Sequence, residues 1–136
     1  MNIILKRPKT KIERQMYNYK YYIYVSNIEV GYIIMKRYSG YMLIGDIKVY
    51  EEYRRKEYAY NTLCYIFNHY NIKGIVGEII DSTSAKNFWN YSIKQFTGCK
   101  VNNHKYSNTI GSFIIPKQDI ELHLIDDMLS VAYSIG

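Results

Sequence analysis

The residues best suited to chemistry stand in one run, Val49-Tyr50-Glu51-Glu52-Tyr53-Arg54-Arg55-Lys56-Glu57-Tyr58-Ala59-Tyr60-Asn61-Thr62-Leu63. A β-prone stretch ends in a charged loop, and a segment of helical period follows directly. Such a junction is a recipe for holding phosphate: loop amides donate, the helix dipole favours an anion at its N-terminus, and arginines add positive charge. Taken alone, Arg54-Arg55-Lys56 reads as a solvated charged turn. A second motif is needed to favour the phosphate reading.

The elements around that loop follow from periodicity. Thr10-Lys11-Ile12-Glu13 has the spacing of a capping box and predicts a short helix within residues 9–19, although the tyrosines that follow also suit a strand. Lys20 to Val25 and Glu29 to Lys36, separated by Ser26-Asn27, predict a hairpin. Tyr41 to Tyr50 predicts a longer strand with Leu43, Gly45, Ile47 and Val49 on one side and Asp46 and Lys48 on the other. Tyr58 to Tyr70 carries Leu63, Ile66, Phe67 and Tyr70 at helical core spacing. Ile72 to Ile80 predicts a strand, and Ser82 to Phe96 a helix with an apolar stripe of Ala85, Phe88, Trp89 and Ile93. Strand, helix and strand in that order imply a right-handed crossover and parallel pairing. Two more strands are expected near Lys100 to Tyr106 and Thr109 to Ile115. A last helix is expected over Asp119 to Ala132, where Ile120, Leu124, Met128 and Val131 share a face.

Length and composition bound the answer. The 136 residues fit a single domain, 1–136, and a hydrophobic fraction of 48% against 22% charged residues is enough to offset chain entropy. No apolar run reaches the length of a membrane span, and Lys6 and Arg7 fall where a signal peptide needs its apolar core, so an intracellular, cytoplasmic protein is expected. Cys64 and Cys99 read as free thiols, and His69, His104 and His123 lack metal-ligand spacing, so no metal is expected. The 17 tyrosines, against four Phe and one Trp, are most simply explained by AT-rich coding. A formal charge of +6 favours polyanions, a coenzyme's phosphates or nucleic acid among them.

The run from Arg54 to Ala59 resembles the phosphate motif of the GNAT superfamily of acyl-CoA-dependent N-acyltransferases, Gln/Arg-x-x-Gly-x-Gly/Ala after a strand. Arg54 matches its first position and Ala59 its last. Ser82-Thr83-Ser84-Ala85-Lys86-Asn87-Phe88-Trp89 resembles the family's Asn-x-x-Ala-x-x-Phe-Tyr/Trp helix. The two blocks lie in family order within a core of about residues 43–98. The resemblance implies an α/β fold: a mixed, mostly antiparallel sheet with a central, splayed parallel strand pair, flanked by helices, here with an extra C-terminal helix. It also implies acetyl-CoA as cosubstrate and a primary amine, on a small molecule or a protein, as acceptor. Ile47 and Val49 would line the pantetheine arm, and Arg54, Arg55, Lys56, Glu57, Tyr58 and Ala59 would wrap the pyrophosphate. Glu78 is the first candidate base, Asp46 the second, and Tyr91 a candidate acid.

Three positions depart from the family pattern. Glu57 stands where the family has glycine, so its carboxylate must turn toward Arg54, Arg55 or Lys56 or serve the following helix. Ser82 replaces the asparagine, and Trp89 replaces the tyrosine often used as general acid. These departures leave an alternative function: a catalytically inactive GNAT-fold protein acting as a protein-binding module. The acceptor side is expected to be shallow, or completed by a partner, a second copy in a homodimer included. Nucleic-acid binding through the basic, tyrosine-rich stretch from Lys6 to Lys20 is a third and weaker reading.

Overall fold

The computed structural model describes residues 2–118, so the expected helix over 119–132 lies outside the described residues. Strand β1 (Ile3–Lys6) leads into the short helix α1 (Lys11–Met16). There Thr10 is the N-cap, its Oγ1 accepting from the Glu13 amide at 3.1 Å. Strands β2 (Lys20–Val25), β3 (Ile28–Tyr38) and β4 (Tyr41–Val49) follow as a meander. A 3-10 turn at Glu51–Tyr53 precedes helix α2 (Tyr58–His69). Then come β5 (Gly74–Ile80), helix α3 (Thr83–Gln95), β6 (Lys100–Tyr106) and β7 (Thr109–Pro116). The strand β1 is an addition to the sequence reading: four residues beside Lys6-Arg7-Pro8 are too few to display an alternation.

One seven-stranded sheet has the order β1-β2-β3-β4-β5-β7-β6, and only β4 and β5 pair in parallel. Both helices α2 and α3 cover the same face of it. Leu63, Ile66 and Phe67 of α2 and Trp89 of α3 are buried in one cluster with Ile33, Ile44, Ile75 and Phe113 of the sheet. Phe96, just past α3, joins the two helices, its ring 5.8 Å from that of Phe67 and 5.1 Å from that of Tyr60. Burying such aromatic and aliphatic side chains supplies about 1.5–3 kcal/mol apiece before entropy is charged against it. The short helix α1 buries none of its own side chains.

Two details of β4 shape the site. Its parallel pairing with β5 runs only from Tyr41↔Gly74 to Ile44↔Gly77, whereas the strands continue to Val49 and Ile80, so the pair splays. Next to that point, the register with β3 shifts: Met35 faces Ile44 but Ile34 faces Asp46, which leaves Gly45 as a bulge. The bulge corrects one expectation. Gly45 resets the alternation by one residue, so Ile47 and Val49 share the helix-covered side with Met42 and Ile44. Leu43 falls on the other side, with Asp46 and Lys48.

Candidate functional site

A cavity of about 710 Å³ occupies the gap between the splayed ends of β4 and β5 and extends to α2 and α3. The strand β4 lines it from Ile44 to Val49 with no β5 partner beyond Ile44, so that flank of its backbone is unpaired by β5. An extended ligand laid along this edge finds amides and carbonyls facing it. Gly77 marks the closed end: a Cβ there would meet the Phe113 ring at 2.7 Å and the Ile44 carbonyl oxygen at 3.1 Å.

The loop between β4 and α2 forms one mouth. Tyr50 fixes the strand end, its amide donating to Val30 O at 2.8 Å and its hydroxyl to Glu29 Oε2 at 2.6 Å. Burial, followed by that hydrogen bond, pushes the Tyr50 hydroxyl well above its ordinary range. Arg54 folds back so that Nε donates to Val49 O at 3.1 Å, and Arg54 and Arg55 both line the cavity. Helix α2 begins at Glu57 without a side-chain cap, which leaves its first amides free of a protein acceptor at that position.

Glu57 is where the sequence expectation fails. It adopts a left-handed conformation at φ 60°, and Arg55 does so at φ 67°. The backbone therefore has the shape that glycine would give it, at a cost of about 1–2 kcal/mol for a residue with a Cβ. The Glu57 carboxylate pairs with none of Arg54, Arg55 and Lys56 and does not cap α2; it accepts the hydroxyl of Tyr91 on α3. That contact raises the Tyr91 hydroxyl above its ordinary range. The clasp joins α2 and α3 across the cavity wall.

The opposite mouth carries two carboxylates beside Lys48. Asp46 on β4 and Glu78 on β5 follow the last paired residues of the splay, and the register puts both on the face away from α2 and α3. Asp46 accepts the Tyr32 hydroxyl at 3.1 Å, whereas Glu78 is exposed. Burial and the neighbouring Asp46 hold the Tyr32 hydroxyl protonated above its usual range.

Of the residues singled out by sequence, the cavity brings together Asp46, Ile47, Val49, Arg54, Arg55, Glu57, Tyr58, Ala59, Glu78 and Tyr91. Lys56 is exposed and stands outside the lining. Ser82 caps α3, its Oγ accepting from the Ala85 amide at 3.2 Å. Trp89 is buried with its ring centroid 4.1 Å from that of Phe113. Ser92 escaped the sequence reading. It is fully buried in the cavity wall, and its Oγ has no hydrogen-bond partner among the described residues. Its place three residues after Trp89, on the same helix face, was the available signal.

No family model matches the sequence, and no curated relative matches it. Solved structures do match in fold. An acetyltransferase of the GNAT family from Bacillus cereus is 16% identical with a TM-score of 0.56, over 77% of this chain and 78% of its own. The diaminobutyrate acetyltransferase of Paenibacillus lautus, solved with its substrate L-2,4-diaminobutyric acid and coenzyme A, aligns at a TM-score of 0.59 and 13% identity, over 85% of this chain and 95% of its own. The chain has a divergent GNAT fold. An acetyltransferase from Thermus thermophilus is similar at a TM-score of 0.57 and 12% identity; 71% of this chain spans 62% of that one. Among the described residues, no helix of the GNAT fold seen here is long and apolar enough to cross a membrane.

Proposed function

We propose that the chain is an N-acetyltransferase that moves an acetyl group from acetyl-CoA to a primary amine on a small molecule or a protein. The observation that carries this reading is the two-sided cavity. One mouth holds Arg54, Arg55 and the uncapped N-terminus of α2, which suits a pyrophosphate; the other holds the carboxylates Asp46 and Glu78, which suit an ammonium. The unpaired edge of β4 from Gly45 to Val49 runs between them and suits the amide-bearing arm of the coenzyme. The Ser92 hydroxyl offers a further hydrogen bond to what fills the cavity.

In this arrangement the residues act chiefly by positioning. Glu78, directly or through water, takes a proton from the acceptor ammonium, and the free amine attacks the thioester carbonyl held in the splay. Asp46 is the second choice, because its carboxylate already holds the Tyr32 hydroxyl. An amide forms, the carbon–sulfur bond breaks, and the thiolate leaves with a proton returned to it. Tyr91 is a weak donor for that proton while Glu57 holds its hydroxyl.

Thiol release from acetyl-CoA in the presence of a panel of primary amines tests the reading. Turnover by the wild type and a loss of about 10²–10⁴-fold in Glu78→Gln are expected. A second reading, a binding module without catalysis, draws on the buried Trp89 in the place of a tyrosine. Coenzyme binding with no turnover of any amine would favour it.

A further inference from the structure

The face of the sheet turned away from α2 and α3 carries an ordered row of side chains. Register pairs Lys6 with Tyr22, Tyr22 with Tyr32, and Tyr32 with Lys48, so one line across β1 to β4 reads Lys-Tyr-Tyr-Lys. It spans about 14 Å, three strand spacings. Lys20 lies beside it on the same face, its Nζ 5.1 Å from the Tyr22 ring centroid and 4.5 Å from that of Tyr32. Lys36, also on this face, places its Nζ 5.2 Å over Tyr19. Lys6, Lys36, Lys48 and Tyr19 are exposed, and Tyr22 and Tyr32 are half-buried.

The charges on this face are lopsided. Against these lysines, β1 to β4 set only Glu29 and Asp46, and each carboxylate already accepts a tyrosine hydroxyl, from Tyr50 and Tyr32 respectively. The whole chain carries a formal charge of +6. A flat surface of that sign attracts polyanions, but charge does not explain the rings. Tyrosine faces set between lysines offer stacking to unpaired bases and contacts to the phosphates that join them. Lys20 lies over Tyr22 and Tyr32, and Lys36 over Tyr19, so a base stacks on these rings as the flexible lysine swings from the ring to the neighbouring phosphate. A duplex hides its base faces, and a lipid surface has no ring to stack.

We propose that this face binds single-stranded nucleic acid, with Lys6, Lys20, Lys36 and Lys48 on phosphates and Tyr22, Tyr32 and Tyr19 beneath bases. The row ends at the cavity, where Lys48 lines the wall, but the inference does not rest on acyl transfer.

Fluorescence anisotropy of the full chain with a labelled oligothymidylate tests it. Binding should weaken with salt along a log–log slope of about −3, the value for four phosphate contacts on a single strand. The double variant Lys6→Gln, Lys48→Gln should flatten that slope by about 1.4 and weaken binding at least tenfold at low salt. Lys94→Gln with Lys105→Gln, on α3 and β6, removes the same charge elsewhere and should leave the slope in place. Tyr22→Leu should weaken binding several-fold at an unchanged slope; if that variant misfolds, Tyr19→Ala, at an exposed position, takes its place. No binding at low salt would overturn the proposal. So would equal effects of the two lysine pairs, or equally tight binding of a DNA duplex or of phosphatidylserine vesicles.

Discussion

Glu57 holds a backbone conformation made for glycine while its side chain reaches across to Tyr91. Glu57→Gly relieves the left-handed strain, removes a negative charge from the mouth that holds Arg54 and Arg55, and releases Tyr91. Calorimetry with coenzyme A should show binding tighter by about tenfold in this variant, the effect of about 1.4 kcal/mol of lost repulsion. Unchanged or weaker binding would mean that the carboxylate is no obstacle. The mismatch of glutamate with the motif's glycine was readable from sequence, but its partner was not, because Tyr91 lies 34 residues away on another helix. Two tyrosines give a pH test. Tyr50 is raised by burial and then by Glu29, and Tyr60 is pushed up to about 12, by burial first and then by Cys64. A hydroxyl whose folded value exceeds its unfolded value of about 10 contributes stability that is complete below pH 10 and fades as pH rises toward the folded value. Thermal unfolding followed against pH should therefore be insensitive to these groups near neutrality and fall above about pH 10. Tyr50→Phe and Tyr60→Phe should flatten that alkaline limb; an unchanged limb in both would contradict the assignment.

At the scale of elements, the site exists because two parallel strands stop pairing after Ile44 and Gly77. The closed end of the gap depends on Gly77, whose absent side chain makes room for the Phe113 ring against which Trp89 packs. Gly77→Ala should cost about 1–3 kcal/mol by overpacking, measured by urea unfolding. A stability equal to that of wild type would show that the apex has slack. Hydrophobic period was enough to read α2, α3 and most strands, because Leu63, Ile66 and Phe67 or the alternation of Thr109 to Ile115 repeat long enough to be recognised. The bulge at Gly45 was not legible. A single inserted residue leaves no periodic trace, yet it moves Leu43 to the face opposite Ile47 and thereby decides which side chains of β4 meet the helix-covered side.

At the scale of the whole molecule, the order of the two motif blocks was enough to anticipate a mixed sheet with one splayed parallel pair, and the GNAT fold has that form. The order of blocks does not say which face the helices cover. That comes from long-range packing, the contacts of Phe96 with Phe67 and Tyr60 among them, and it leaves the lysine and tyrosine row on the other side. The assembled cavity has Arg54 and Arg55 at one mouth and, on the other face of the sheet, Asp46 and Glu78 beside Lys48, an arrangement that suits the proposed transfer from coenzyme A to an ammonium. Calorimetric titration of the folded protein with coenzyme A tests this most directly, alongside the double variant Arg54→Ala, Arg55→Ala. Binding by the wild type, weakened at least tenfold in the variant, is the predicted result. Absence of binding at about millimolar coenzyme, a binding free energy weaker than about −4 kcal/mol, would contradict it.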